Sequence, residues 1–305
     1  MLDAQTHRLR PLQGVPGAAV LGPSLDLGTD IAAAVLPPRQ DYALALTGDN
    51  QDVQVVHFTA SGPTLAPIEG VGAAPDRMVL SPSGAAAGFY RQASGMVQVV
   101  TGLPDAPVLA RELAVAGADQ DLAALAINDD GQILAVGLED ATNLLLWRPG
   151  GNTTVPLPDR IRAIAFRPHT RDVAVATANN QVLLLADLSG QSQPAVVAGS
   201  DEGVAAPVAL AFSGDGQKLF TANSDPGSVT ISDLAQRAAS ILTCNCSPSG
   251  LARLKGTAVF RLTEAHDPLL LLDGTTNLSR ILFVPPDPPA AVLADAGANA
   301  QEAGQ

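Results

Sequence analysis

The chain has 305 residues, of which 47% are apolar and only 15% charged, with 28 Gly and 24 Pro punctuating it. This balance excludes disorder for most of the length and supplies many turns, as in an all-β protein. Thirty acidic residues against 17 basic give a formal net charge of −13, a field that repels phosphate backbones and excludes nucleic acid as the expected partner.

In chain order, residues 1–7 read as a flexible N-terminus without the charged and apolar parts of a secretory leader. Residues 8–28 hold two short strand-like runs, Arg8-Leu9-Arg10-Pro11-Leu12 and Ala18-Ala19-Val20-Leu21. From Ile31 onward one phrase recurs about every 40 to 47 residues: an apolar run, a tight polar turn, a second apolar run, a polar break and a third apolar run. Its clearest copies contain Leu80-Ser81-Pro82-Ser83-Gly84, Ile127-Asn128-Asp129-Asp130-Gly131, Phe166-Arg167-Pro168-His169-Thr170 and Phe212-Ser213-Gly214-Asp215-Gly216. Six units start at Ile31, Asp76, Asp121, Ile161, Pro207 and Ser249.

Each unit parses into four short strands bounded by turn residues. In the fourth they are Ile161 to Phe166, Asp172 to Ala176, Val182 to Ala186 and Ala195 to Ala198. The fifth repeats them as Pro207 to Phe212, Lys218 to Ala222, Ser228 to Ser232 and Ala239 to Thr243. First strands such as Ala123-Ala124-Leu125-Ala126-Ile127 are apolar throughout and rich in Ala, as suits an inner strand covered on both faces by its neighbours. The expected fold is an all-β propeller over residues 8–285, with six four-stranded blades and the N-terminal strands closing the ring. Seven blades is the alternative, if those strands belong to an extra blade. Residues 286–305, rich in Pro and Ala, lack an apolar period and read as a disordered tail. No apolar run nears the roughly 18–20 residues that a transmembrane helix needs.

The Ser81-Pro82-Ser83-Gly84 and Ser213-Gly214-Asp215-Gly216 turns resemble the Ser-Pro-Asp-Gly turn of many bacterial propellers. Thr221-Ala222-Asn223-Ser224, followed by Val229-Thr230-Ile231-Ser232-Asp233-Leu234, resembles the YVTN-type repeat, as does Thr177-Ala178-Asn179-Asn180 with Leu184-Leu185-Ala186-Asp187-Leu188. The pattern is WD-repeat-like without the WD signature: Trp147 is the only tryptophan, Arg148 follows it, and no unit opens on Gly-His. Lysine is confined to Lys218 and Lys255 while Ala and Arg are favoured, consistent with the bacterial character of that resemblance.

In a propeller, the loops between second and third strands and those joining blades emerge on one end, the usual binding face. Here they carry Asp49, Asp52, Asp76, Asp119, Asp121, Glu139, Asp140, Asp159, Asp201, Glu202, Asp225, Glu264 and Asp267. The opposite end mixes Arg39, Arg167, Arg171, Lys218 and Lys255 with Asp129, Asp130 and Asp215. Acidic turns form for backbone reasons alone; the sharper reading is a mouth that attracts a cationic partner or holds Ca²⁺. Candidate metal ligands are then Asp49, Asp52, Asp225, Glu139, Glu264 and Asp267, though no dense calcium loop is present. His7, His57, His169 and His266 are scattered, and no catalytic motif occurs. Cys244 and Cys246 flank Asn245 and are read as structural thiols, a disulfide or a metal or redox pair.

Two functions follow. The favoured one is a non-catalytic scaffold for a protein or cell-surface partner, since 3% aromatic residues leave little for sugar stacking. The alternative comes from the resemblance, because YVTN-type propellers are similar to families that include sugar lactonases. It implies a channel-mouth hydrolase built on Glu139, Asn179, Asp225, Glu264 and His266. An oxidised cysteine pair implies an extracytoplasmic protein, periplasmic or secreted; a native start at Met1 implies a cytoplasmic one.

Overall fold

The computed structural model describes residues 1–118, 120–188, 190, 192–264, 268–276 and 278–285. Six four-stranded antiparallel sheets follow one another along the chain, each a meander of sequential neighbours, so the fold is a six-bladed β-propeller. Blade 1 spans 31–67, blade 2 77–114, blade 3 122–156, blade 4 161–198, blade 5 207–243 and blade 6 252–283. Among the described residues no helix is long and apolar enough to cross a membrane.

The strands of the repeat lie where the apolar runs put them. In blade 5 they are Pro207–Phe212, Lys218–Asn223, Ser228–Asp233 and Ala238–Thr243. The turn after the first strand has a shared device. Its opening residue turns its side-chain oxygen back to accept an N–H five residues on: Ser81 from Ala86 at 3.1 Å, Asn128 from Ile133 at 2.8 Å and Ser213 from Lys218 at 3.0 Å. Gly84, Gly131 and Gly216 provide the positive φ that closes it. In blade 5 the Ser213 hydroxyl also donates to Asp215, the main cause holding that carboxyl below its ordinary range.

Burial corrects one expectation. In blades 1 and 4 the strand covered most completely is the second rather than the first: Tyr42–Thr47 and Val173–Thr177 are buried at every position. First strands such as Arg77–Leu80 stay partly exposed, because one side of each looks into the central channel. The small residues of the inner strands therefore serve close approach around the axis.

Each pair of consecutive blades shares one apolar cluster. Tyr42, Leu44 and Val55 of blade 1 meet Ala87, Phe89 and Val100 of blade 2, and the same interleaving joins blades 2 and 3, 3 and 4, 4 and 5, and 5 and 6. In the last, Phe220 and Phe260 approach with ring centroids 4.7 Å apart, tilted by 50°. Tyr42, fully buried, donates its hydroxyl to the Gly84 carbonyl of the next blade, and burial raises its pKa. Tyr90 repeats the contact toward Gln120.

The N-terminal strands close the ring, as expected. Residues 1–7, read as flexible, carry strand β1 (Leu2–Asp3), which pairs with β2 (Arg8–Leu9); β3 (Leu12–Gln13) pairs with β4 (Val20–Leu21). Neither hairpin joins a blade ladder. They close the ring by packing instead. Leu9 and Leu2 insert beside Ile31, Ala43 and Val56 of blade 1, while Met1, Leu12 and Ala19 cover Leu269, Leu271 and Val284 at blade 6. Buried Asp3 with Arg10 at 3.3 Å and the Arg10 bond to the Gly22 carbonyl hold the two hairpins together. The expected tail, 286–305, lies outside the described residues.

Two outcomes follow from these contacts. Tyr42→Phe leaves the Gly84 carbonyl without its buried donor and lowers unfolding free energy by about 1–3 kcal/mol, measured by urea denaturation. Asp273, 2% exposed, would be raised by burial, but bonds from Thr275 and Arg280 outweigh that and hold its pKa below the ordinary value. Its stabilisation is present above the unfolded carboxyl pKa of about 3.9 and is lost as pH falls through the lower folded value. Asp273→Asn removes that acid-sensitive part, so the difference in stability from the parent shrinks below about pH 4 in a pH series of melts.

Candidate functional site

Three features of the ring can bind: the central channel, the face carrying the acidic loops, and the seam at the N-terminal hairpins. The channel cavity, about 260 Å³, is walled by the first strands of all six blades. Its larger side chains are mostly apolar, with Leu36, Leu80, Ile127, Phe166, Phe212 and Leu251 supplying one residue from each blade or its turn and Ser81 a hydroxyl. Arg253 of blade 6 is the one cationic side chain among its described lining residues. It reaches across to blade 2, where its Nη2 donates to the Pro82 carbonyl at 3.1 Å. Its Nε–H is buried without a partner; such a group costs about 1–3 kcal/mol, and more when charged. Burial lowers the Arg253 pKa, opposed by the nearby carboxylate of Asp129.

Asp129 ties the first turns of three blades together. Its carboxylate accepts the backbone N–H of Ser83 at 2.6 Å and of His169 at 2.8 Å, with the His169 Nδ1 3.6 Å away. The turn histidine that the sequence left without a role is thus part of a blade-to-blade clasp.

On the other face, Asp49 and Asp52 stand together at one turn of blade 1, exposed. Glu139 and Asp140 lie on blade 3 and Asp225 on blade 5, also exposed, and Asp121 on the connection between blades 2 and 3. None of these six makes a side-chain bond to a described residue. Glu264 is paired with Arg261 at 2.6 Å. His266, Asp267 and Asp119 lie outside the described residues. Among the described residues no three His, Cys, Asp or Glu side chains gather as a metal site, and none of Glu139, Asn179, Asp225 and Glu264 lines the channel cavity.

The two Ala-Asn phrases occupy different positions. Asn223 ends the second strand of blade 5 and pairs with Pro207, whereas the residue paired with the corresponding Ile161 in blade 4 is Thr177. Asn179 therefore lies in the turn beyond the strand, two positions off, accepting a bond from Thr177 at 2.7 Å. Asn223 is fully buried and acts as a polar hub. It accepts from the Ala205 N–H at 3.1 Å, and its two amide hydrogens are shared among Ser228 and Thr230, each at 3.1 Å, and the Gly203 carbonyl at 3.3 Å. Cys244 and Cys246, past the last strand of blade 5, are joined as a disulfide, and the Cys244 N–H donates to the Gly227 carbonyl at 3.0 Å.

No protein-family model matches the chain, and no curated protein sequence matches it. Solved structures do share its fold. A virginiamycin B lyase from Staphylococcus aureus is similar at 12% identity and a TM-score of 0.54, over 81% of this chain and 82% of that one. A chain of the Mitotic Checkpoint Complex is similar at 14% identity and 0.59, over 91% and 84%. The Cps50 (Swd1) β-propeller domain of Myceliophteria thermophila is similar at 13% and 0.51, over 68% and 70%. At such identities the likeness is one of fold alone, a ring that serves a lyase and parts of assemblies alike.

The Asn223 hub has a direct check. Asn223→Ala leaves several buried groups unpaired, each worth about 1–3 kcal/mol. Stability in urea falls accordingly, and hydrogen exchange quickens first at the 203–206 connection.

Proposed function

We propose that this protein is a binding scaffold that presents the acidic face of its ring to a cationic surface on a protein partner. One observation carries the reading: exposed carboxylates at Asp49, Asp52, Asp121, Glu139, Asp140 and Asp225, without side-chain partners among the described residues, all stand on loops of that one face. Carboxylates left free on rigidly anchored turns steer a cationic partner and set its orientation. The opposite face spends much of its charge internally, as in Arg167 with Asp172 and Arg280 with Asp273. The lactonase-type alternative lacks the gathering it needs, since none of Glu139, Asn179, Asp225 and Glu264 lines the channel cavity. The Cys244–Cys246 disulfide supports an extracytoplasmic setting, and the resemblance of the turns supports a bacterial YVTN-type repeat.

The test is calorimetric titration of a Lys-rich peptide at low salt against two triple variants matched in charge. Asp49→Asn with Glu139→Gln and Asp225→Asn weakens binding roughly tenfold or more, and added salt does the same to the parent. Asp105→Asn with Asp130→Asn and Asp233→Asn, on the other face, leaves it nearly unchanged. Equal weakening by both triples would assign the binding to net charge and overturn the proposal.

A further inference from the structure

Two residues apart in sequence, Cys244 and Cys246 close a disulfide ring around Asn245 alone. A disulfide stabilises a fold through the length of chain it closes, and more for longer loops. This one closes a loop with a single intervening residue and joins no two elements, since both cysteines lie in the connection between blades 5 and 6. That connection is fastened at both ends without it. Before the ring, Thr243 pairs with Ser228 in the outer ladder of blade 5; after it, Pro248 is buried and the Ser249 N–H donates to the Leu262 carbonyl at 2.9 Å. The ring staples nothing that the strands leave loose.

Its surroundings leave it open to solution. Both cysteines are only half-buried, while Asn245 between them and Ser247 after them are exposed. One side of the segment lies on the turn between the second and third strands of blade 5: the Cys244 N–H donates to the Gly227 carbonyl at 3.0 Å, and a Cβ on Gly227 would stand 2.1 Å from the Cys246 carbonyl oxygen. The backbone is thus held against the blade on that side. Asn245 is kept at a φ of 48°, in the left-handed region that non-glycine residues seldom adopt, and opening the ring lets it leave. Among the described residues no third metal ligand gathers with the pair. What two cysteines so placed can do is exchange, because an exposed disulfide in a small ring is reduced more readily than one buried between elements.

We propose that Cys244–Cys246 is a thiol–disulfide exchange site, at which the folded ring oxidises a pair of thiols and is re-formed by the reverse reaction with their disulfide. One thiolate attacks a sulfur of the pair; the S–S bond breaks, a mixed disulfide forms, and the released cysteine leaves as a thiolate and takes up a proton. A second thiolate, on the same molecule or another, attacks the substrate sulfur of the mixed disulfide. That closes the substrate's disulfide and expels the remaining cysteine, which is protonated in turn. The two thiols lose two electrons and two protons, and Cys244 and Cys246 gain them. Between their fixed ends the reduced cysteines stay within reach of each other, so the ring closes again without refolding. The site does not depend on a cationic partner at the acidic face.

The purified full-length chain is equilibrated, without denaturant, in mixtures of reduced and oxidised glutathione, starting once from the disulfide and once from the dithiol. Samples are quenched with iodoacetamide and weighed by mass spectrometry, with circular dichroism followed in parallel. The expected result is that millimolar reduced glutathione populates both forms, that the two starting points reach the same ratio, and that the spectrum stays native throughout. A structural disulfide stays oxidised against the same pool. Cys244→Ser with Cys246→Ser folds, melts within a few degrees of the parent and takes up no label. A pair that stays oxidised at every ratio, reduction only where the native spectrum is lost, or different end points from the two starting forms would each overturn the proposal on the parent chain alone. A double variant that melts far below the parent would overturn it as well, by showing that the ring is a staple.

Discussion

The structure depends on apolar packing between neighbouring blades. A four-stranded sheet has two faces, and a sheet with both faces apolar is stable only if something covers each. Strands such as Val173–Thr177 bury Val173 and Val175 on one face and Ala174 and Ala176 on the other, which leaves a single blade no way to fold alone. Stacking around a ring covers both faces of every blade at once, and the clusters shared by consecutive blades are the result. The Tyr42 and Tyr90 hydroxyls add directional bonds at these junctions and so fix how one blade sits on the next.

This arrangement decides where function can reside. Strand faces are consumed by packing and the inner strands by the channel wall, so chemistry is left to the loops, the rim and the seam. The loops of the two faces differ in how they spend their charge. Asp129, Asp172 and Asp215 are bound into turns or clasps on the face of the first turns, while the carboxylates of the second-to-third-strand turns stay exposed. The channel itself is closed in by aliphatic side chains and crossed by Arg253.

The junction between blades 6 and 1 is built from different material. Blade 6 has a first strand of only two residues, Ala252–Arg253, and the N-terminal hairpins fill the gap with side chains rather than with a ladder. Packing of short hairpins against a short strand leaves more empty space than the interleaving of two full sheets, which is why the larger cavity is here. A fold that must close a ring at one place has one irregular junction, and here that junction holds the larger cavity, of about 450 Å³.

Much of the fold was legible in the residues themselves. Periodic apolar runs and Ser, Asn and Gly at fixed offsets mark strands and turns through local physics, so Ile161–Phe166, Ala195–Ala198 and Pro207–Phe212 fall where composition put them. Asp49, Asp52, Glu139 and Asp225 were legible as turn carboxylates for the same reason. What stood beyond the sequence is whatever depends on who meets whom across the ring. The Asn223 hub, the Asp129 clasp through His169 and the reach of Arg253 over 171 residues to Pro82 join segments with no sequence relation. The N-terminal hairpins illustrate the same limit: short alternating runs such as Arg8–Leu9 fit a blade edge or a free hairpin equally well, and only the surfaces of blades 1 and 6 select between them. Local patterning determined the blades, the number of units and the placement of charge on the turns; tertiary structure alone decided how the ring closes and where it leaves a cavity, because closure is a contact between the two ends of the chain.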